Sequence, residues 1–285
     1  MHSPQELVSQ VSALASLPSV YVRIREIVEA PDSSMASIAG AISSDPALCA
    51  RLLKQVNSAA YRHDGLVDSI GRAISMLGLE RVHDLVLAMS LCTVFEDMRP
   101  RYMDMQRFWR GSVMRGLAAR NIGEVQQRND TERLFVCGLM SDLGHLVMYQ
   151  TVPNLAEAAL LTSRENNEPR QQVERRIVGC DHAEVGAALL GHWRLPACFT
   201  DPIAAQHHPQ MGGEYSQAAA IVQLADYLAE AEQKALEGDI MTAPMPAPSR
   251  ELLTLPPEKA EELRRSLDAD LAIYLQNFAP RSAHS

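Results

Sequence analysis

The chain has 285 residues, with 26 Lys and Arg against 35 Asp and Glu for a net charge of −9, and 47% of it is hydrophobic. That mixture can bury a sizeable core, which excludes the low-hydrophobicity, high-charge composition of a disordered chain. The acidic balance argues against a general phosphate-backbone binder, and 5% aromatic residues leave few platforms for stacking bases, so direct DNA binding is not expected.

The longest uncharged stretches, 7–22 and 143–156, contain Ser, Gln, His and Pro, and neither reaches the roughly 20 apolar residues of a spanning helix. No membrane insertion is expected. The opening Met1-His-Ser-Pro-Gln-Glu6 lacks the Lys or Arg that starts a secretory signal. Five cysteines, an odd number without C-x-x-C spacing, lie in apolar surroundings. They read as reduced core thiols and point to a cytoplasmic location.

In chain order, nearly every patterned segment predicts helix. Asp45-Pro46 is a cap followed by Pro at the first helical position, and Leu48, Leu52, Leu53 and Val56 line one face of a helix over 47–60. Ile70, Ala73, Ile74 and Leu77 repeat the spacing, with Gly78 as the stop. Residues 81–95 are apolar nearly all round, which predicts a central buried helix. Asp64-Gly65 reads as a helix connector. A boundary falls near Met98-Arg-Pro-Arg101, followed by long helices over 108–125 and 131–150.

Asp181-His-Ala-Glu184 has the form of a capping box for a helix ending near Trp193. A further helix covers 197–207, and Ser216–Leu236 is strongly amphipathic. Pro244, Pro246 and Pro248 mark a mobile linker, and Pro256-Pro257 starts a last helix to about Phe278. The expected architecture is all-α and two-lobed. It comprises an N-terminal helical subdomain (1–100), a second helical subdomain (101–237), a Pro-rich linker (238–255) and a C-terminal helix and tail (256–285).

Within the predicted helix 131–150, Gly138, Ser141, Asp142 and His145 share a face among apolar neighbours, so Asp142 needs a partner if buried. His182 begins one helix and His207-His208 close another, and imidazoles converging on a carboxylate suit a divalent first-row metal. Ion pairing and helix-dipole contacts are the plainer roles for the same residues. Asp226 lies amid Ile221, Leu224, Ala225 and Leu228 and reads as a second buried acid. His63, His83, His145 and His192 read as packed or exposed polar residues rather than ligands. Arg99, Arg101, Arg107, Arg110, Arg115 and Arg120 read as a solvated face. Phosphate-binding loops and nucleophile elbows are absent.

Over residues 14–230 the chain resembles the HDOD family, the regulatory relatives of HD-type metal phosphohydrolases. The resemblance runs through Leu17-Pro18, Asp45-Pro46-Ala47, Asn57-Ser58-Ala59, Ser69-Ile70 and Leu77-Gly78. It continues through Phe108-Trp109, Gly138-Leu139, Asp142-Leu143-Gly144, Asp181-His182-Ala183-Glu184-Val185-Gly186, Trp193-Arg194-Leu195-Pro196 and Ala225-Asp226.

The resemblance implies that the ligand positions of HD enzymes fall at Gly111, Ser141, Asp142 and Asp226. Two imidazoles are thus replaced by Gly and Ser, and the usual hydrolysis should fail. The HD-GYP branch, which hydrolyses cyclic di-GMP, implies a second metal position matched by Asp142, His182, His207 and His208. The Gly-Tyr-Pro signature is missing, and His145 stands where a Lys is expected.

The function implied is a non-catalytic bacterial signalling module acting through other signalling proteins, with no catalytic residues and no cofactor. Two alternatives stay open. One is a divergent phosphohydrolase with a single divalent ion (Fe, Mn, Zn or Ni), and the other is a sensor of a nucleotide second messenger such as a cyclic dinucleotide.

Overall fold

The computed structural model describes residues 1–11, 16–30, 34–58, 61, 65–95, 98–236, 238 and 244–279. His63 and Asp64, and with them part of the expected helix connector, lie outside the described residues. Among the described residues all regular structure is helical, as the all-α expectation requires.

The helices run α1 (Pro4–Val11), α2 (Ser19–Glu29), α3 (Met35–Ser43), α4 (Pro46–Val56), α5 (Ile70–Leu77), α6 (Leu79–Val94), α7 (Met105–Val125) and α8 (Thr131–Met140). They continue as α9 (Leu143–Thr151), α10 (Pro153–Asn166), α11 (Arg170–Ile177), α12 (His182–His192), α13 (Ala197–Ala204), α14 (Ser216–Leu236), α15 (Ala247–Leu253) and α16 (Pro257–Phe278). The chain divides into two compact units, residues 1–15 with 98–267 and residues 16–97 with 268–285.

The smaller unit holds α2 to α6 and the last turns of α16. Asp45 Oδ1 accepts from the backbone N–H groups of Ala47 and Leu48, and Pro46 follows at the first helical position, which fixes the start of α4. Leu48, Leu52 and Val56 then fall on its buried face. Ser69 caps α5 in the same way, and Gly78 (φ 87°) ends it in a conformation that a side chain resists. From Leu85 to Cys92 every residue of α6 is buried, so it forms the centre of this unit. The buried Gln55 of α4 accepts from Asn277 of α16 at 2.7 Å.

In the larger unit α7 packs along α8 and α14, while α12 packs on α1, α9 and α13. Two glycines set the close approaches that position the site. A Cβ on Gly138 would lie 2.5 Å from the carbonyl oxygen of Arg115, so α8 meets the backbone of α7 there. A Cβ on Gly144 would lie 1.8 Å from the carbonyl oxygen of His182, so the start of α9 presses on the start of α12. Only glycine permits either contact.

Three expectations need correction. The single helix expected over 131–150 is two, α8 and α9, broken at Ser141-Asp142. The Ser141 hydroxyl turns back to the Gly138 carbonyl at 2.8 Å, a local bond that competes with helix continuation. Gly138, Ser141, Asp142 and His145 therefore do not form one continuous helical face.

Part of the Pro-rich segment expected as a mobile linker is helical. Residues 239–243 lie outside the described residues, but 247–253 form α15, with Pro248 in its first turn and Ser249 and Leu253 buried. α15 packs against α14. Finally, residues 1–11, expected with the N-terminal subdomain, contribute α1 to the larger unit, where Leu7, Val8 and Val11 are buried. All five cysteines are free thiols, and Cys92, Cys137 and Cys180 are buried.

Candidate functional site

The larger unit gathers polar side chains from α7, the α8–α9 junction, α11, α12, the turn after α13, and α14. Their centre is Glu174 of α11, a carboxylate with no exposed surface. Its Oε1 accepts from His145 Nε2 at 2.6 Å, and its Oε2 accepts from His182 Nδ1 at 2.7 Å and from the His182 backbone N–H at 3.0 Å. Arg170, one helical turn before Glu174, brings its Nε to 2.9 Å from Oε1 without hydrogen-bond alignment.

His145 also donates from Nδ1 to Asp142 Oδ1, so each of its ring nitrogens faces a carboxylate. The His145 and His182 rings stack with centroids 3.9 Å apart, and His182 Nε2 lies 3.2 Å from His207 Nε2. The result is an uninterrupted chain, Asp142–His145–Glu174–His182–His207. Such a buried network is costly if any member loses its partner.

The pKa directions follow from this geometry. Burial alone would raise the Glu174 carboxyl, but His145 and His182 beside it hold it well below its ordinary value. Asp142 is likewise raised by burial and lowered further by Arg115 and His145, with a net fall. Burial lowers the His182 imidazole, yet Glu174 outweighs it and the group titrates above its ordinary value. His207 is pushed down to about 4, by burial first and then by the neighbouring His182.

At the other end of the network stands Arg115. Its Nε donates to Asp226 Oδ1 at 2.6 Å, and its Nη1 lies 3.6 Å from Asp142 Oδ2. Gly111, one turn earlier on α7, has no Cβ and leaves room beside the guanidinium. One built there would sit 2.9 Å from Nη1. Long helical side chains lean toward the N-terminus of their helix, so the residue four positions on is the one that fills such a gap.

Of the residues expected to matter, the structure brings together Asp142, His182, His207 and Asp226, with Gly111 and Ser141 at the edge of the group. His208 is exposed and is not among the residues whose ligand atoms converge. Asp226 was expected to be buried, but its side chain is 41% exposed. His145, expected outside the ligand set, is buried at its heart. Arg115 and Arg120 do not lie on a solvated face. Arg120 is buried against Glu132 at 3.1 Å, and Arg115 is committed to the two aspartates.

The sequence reading missed Glu174 and Arg170 altogether. Glu174 follows Val173 and precedes Ile177 and Val178, which puts an acid on an apolar stripe, the same signal that singled out Asp142.

Two positions could be asked to hold a metal. The first is the Gly111, Ser141, Asp142 and Asp226 position implied by the resemblance to HD enzymes. It does not fit an ion, because glycine and serine supply no imidazole and a guanidinium already lies between the two carboxylates. The second is formed by Asp142, His145 and His182, whose ligand atoms lie within 4.8 Å of one another. Its nitrogen and oxygen donors suit one divalent first-row ion, and Glu174 holds the His182 ring as second-layer carboxylates hold metal-binding histidines.

The fold and this cluster define an all-helical domain with histidines and carboxylates drawn together at its core. Solved structures share the fold. A protein of Shewanella amazonensis SB2B, provisionally named a phosphohydrolase, superposes with a TM-score of 0.71 at 23% identity, covering 98% of this chain and 99% of its own. An HDOD domain protein of unknown function from Geobacter sulfurreducens gives 0.69 at 20% identity over 96% of each chain. A protein of Marinobacter aquaeolei VT8, provisionally named for signal transduction, gives 0.66 at 21% identity, over 94% of this chain and 60% of that one.

The chain belongs to the HDOD domain family, which it matches over residues 14–209. An uncharacterized protein of Treponema pallidum (strain Nichols) is 26% identical over 224 residues, a span of 77% of this chain. The chain spans only 43% of that relative's length. Among the described residues no helix is long and apolar enough to cross a membrane.

Proposed function

We propose that this chain is a non-catalytic signalling module of the cytoplasm that acts by binding other proteins. One observation carries the reading: the carboxylates left in the cleft, Asp142 and Asp226, are engaged by the chain's own Arg115 and His145. Hydrolysis of a phosphate ester needs a group that generates or orients a nucleophile, and these two carboxylates are already committed to partners. Membership of the HDOD family supports a regulatory role, as does the provisional name of the Marinobacter neighbour.

The test is direct. Full-length protein incubated with bis(p-nitrophenyl) phosphate or cyclic di-GMP in Mn²⁺, Fe²⁺ or Zn²⁺ gives no product above a no-protein control. Turnover that disappears in Asp142→Asn overturns the non-catalytic reading. Co-purification of a defined partner from native lysate, reproduced with both purified proteins, supports the binding role, and its absence in the reconstituted pair removes that partner.

A second reading is favoured by the Asp142, His145 and His182 group, which could retain one divalent ion. Those three residues would hold it, and the ion would supply Lewis acidity at that point when bound. Metal analysis of protein purified without chelator decides between the readings, since a stoichiometry near one that falls in His182→Ala favours the second.

A further inference from the structure

α13 carries a proline inside it. Pro202 has no N–H to give to the carbonyl four residues back, which is that of Cys198. Cys137 of α8, fully buried, turns its thiol to that carbonyl, with Sγ 3.6 Å from the oxygen. Ser141 stands one turn after Cys137, and its carbonyl accepts from the buried Gln206 at 3.0 Å. That bond fastens the end of α8 to the turn after α13 beside the two cysteines. A sulfur touching the main chain of the other cysteine is a separation of the same order as the about 4.4–6.8 Å between Cα atoms that a disulfide requires.

Both cysteines also line one cavity of about 120 Å³, which has room for an oxidant little larger than water. Cys198 is partly exposed whereas Cys137 is buried, so an oxidant meets Cys198 first. The charges of the cavity wall balance. Arg128 is bonded to Asp130 by two contacts of 2.7 Å, and Arg133 and Glu214 are the other two charged groups. No net negative charge therefore opposes a thiolate there.

We infer that Cys137 and Cys198 form a redox couple, in which a hydroperoxide oxidises Cys198 and Cys137 closes a disulfide between α8 and α13. The Cys198 thiolate attacks one oxygen of the hydroperoxide ROOH, the O–O bond breaks, and ROH leaves after taking up a proton. The product is the Cys198 sulfenic acid. The Cys137 sulfur then attacks the Cys198 sulfur, the S–O bond breaks, and water leaves with the thiol proton. A transient disulfide of this kind is how a protein in a reducing compartment registers an oxidant. Closure also withdraws the S–H donor from the Cys198 carbonyl. It ties the helix that ends beside Ser141 to the one that leads to His207, whether or not an ion is bound at Asp142, His145 and His182.

The experiment treats reduced, full-length protein with a few equivalents of hydrogen peroxide and reads thiols per chain, intact mass and cross-linked peptides. Wild-type protein is expected to fall from five thiols to three and to lose two hydrogens in mass. The peptides of Cys137 and Cys198 should be joined, and dithiothreitol should separate them. Cys137→Ser keeps a donor to the Cys198 carbonyl and is expected to hold Cys198 as a sulfenic acid that dimedone captures. Cys198→Ser is expected to form no cross-link and to keep Cys137 as a thiol. Cys49→Ser, at the other partly exposed cysteine, leaves the cross-link intact. Where a serine variant does not fold, the wild-type peptide map alone decides. Peroxide that leaves all five thiols in place, oxidises Cys198 without the cross-link, or joins either cysteine to a different partner overturns the inference.

Discussion

Glu174 is the residue whose loss the structure makes most costly. Replacing it with Ala leaves three buried donors without an acceptor: His145 Nε2, His182 Nδ1 and the His182 backbone N–H. An unsatisfied buried donor costs about 1–3 kcal/mol, and breaking a buried charge pair about 3–5 kcal/mol. The losses overlap, so about 3–5 kcal/mol is expected for Glu174→Ala, a large share of the roughly 5–15 kcal/mol that holds a domain together. Glu174→Gln is expected to cost less, about 1–3 kcal/mol. Its amide can donate to His145 Nε2 once that ring keeps its proton on Nδ1 toward Asp142, while its oxygen still accepts from His182.

The pH profile separates these terms. Glu174 titrates below its ordinary 4.5, so its contribution is present above that value and is lost as pH falls. His207 is depressed from 6.5 to about 4, so its contribution is also present above 6.5 and is lost between 6.5 and about 4. His182 is raised, so its contribution is present below 6.5 and is lost as pH climbs through the raised value. Wild-type Tm therefore peaks near neutrality and declines on both sides. Calorimetry from pH 4 to 9 should find the alkaline decline absent in Glu174→Ala, since His182 has lost the partner that raised it. A Glu174→Ala protein with wild-type Tm and an unchanged profile refutes the account of the network.

Three further substitutions test how the site is placed. Gly144→Ala puts a methyl group 1.8 Å from the His182 carbonyl oxygen, and at least about 3 kcal/mol of destabilisation is expected, or failure to accumulate soluble protein. A urea midpoint equal to wild type is the contrary result. Ser249→Ala removes a buried hydroxyl that lies 2.6 Å from Gln223 Oε1, and Gln223 in turn donates to the His207 carbonyl. A loss of about 1 kcal/mol with a shifted His207 ring resonance in NMR is expected, and an unmoved resonance disconnects α15 from the site. Asp181→Ala breaks the capping box of α12, in which Asp181 Oδ1 accepts from Glu184 N–H at 2.9 Å. It should cost about 1–2 kcal/mol by denaturant titration, and a loss within error of zero counts against the cap as an anchor of His182.

The helices with chemical punctuation were legible in the sequence. Asp45-Pro46, Ser69 with Gly78, and Asp181 with Glu184 each state a start or stop in local backbone terms, and α14 was readable over its full span, Ser216–Leu236. The break between α8 and α9 was not, because apolar residues recur at helical spacing on both sides of it. At the break the Ser141 hydroxyl turns back to the Gly138 carbonyl and Gly144 closely approaches α12, and neither feature is recorded in the hydrophobic pattern. α11 was invisible for the opposite reason. Arg-Gln-Gln-Val-Glu-Arg-Arg-Ile is so polar that the short apolar stripe around Glu174 is easily passed over, although Val173 and Glu174 are both fully buried.

The site was half legible for a related reason. Residue types with obvious metal chemistry, such as Asp142 and His182, attract attention wherever they stand, whereas an arginine in a helix with other arginines looks like surface. The informative feature was relational: Gly111 and Arg115 are one turn apart, so a missing side chain and a long basic one share the same volume. The same logic joins Arg170 to Glu174, also one turn apart on α11. In both pairs a guanidinium is delivered to a carboxylate, by a neighbour on its own helix or across a glycine gap. The polar core is thereby held by cations that the chain itself encodes. That is the physical basis for expecting the Arg115 cleft to hold together without a bound ion.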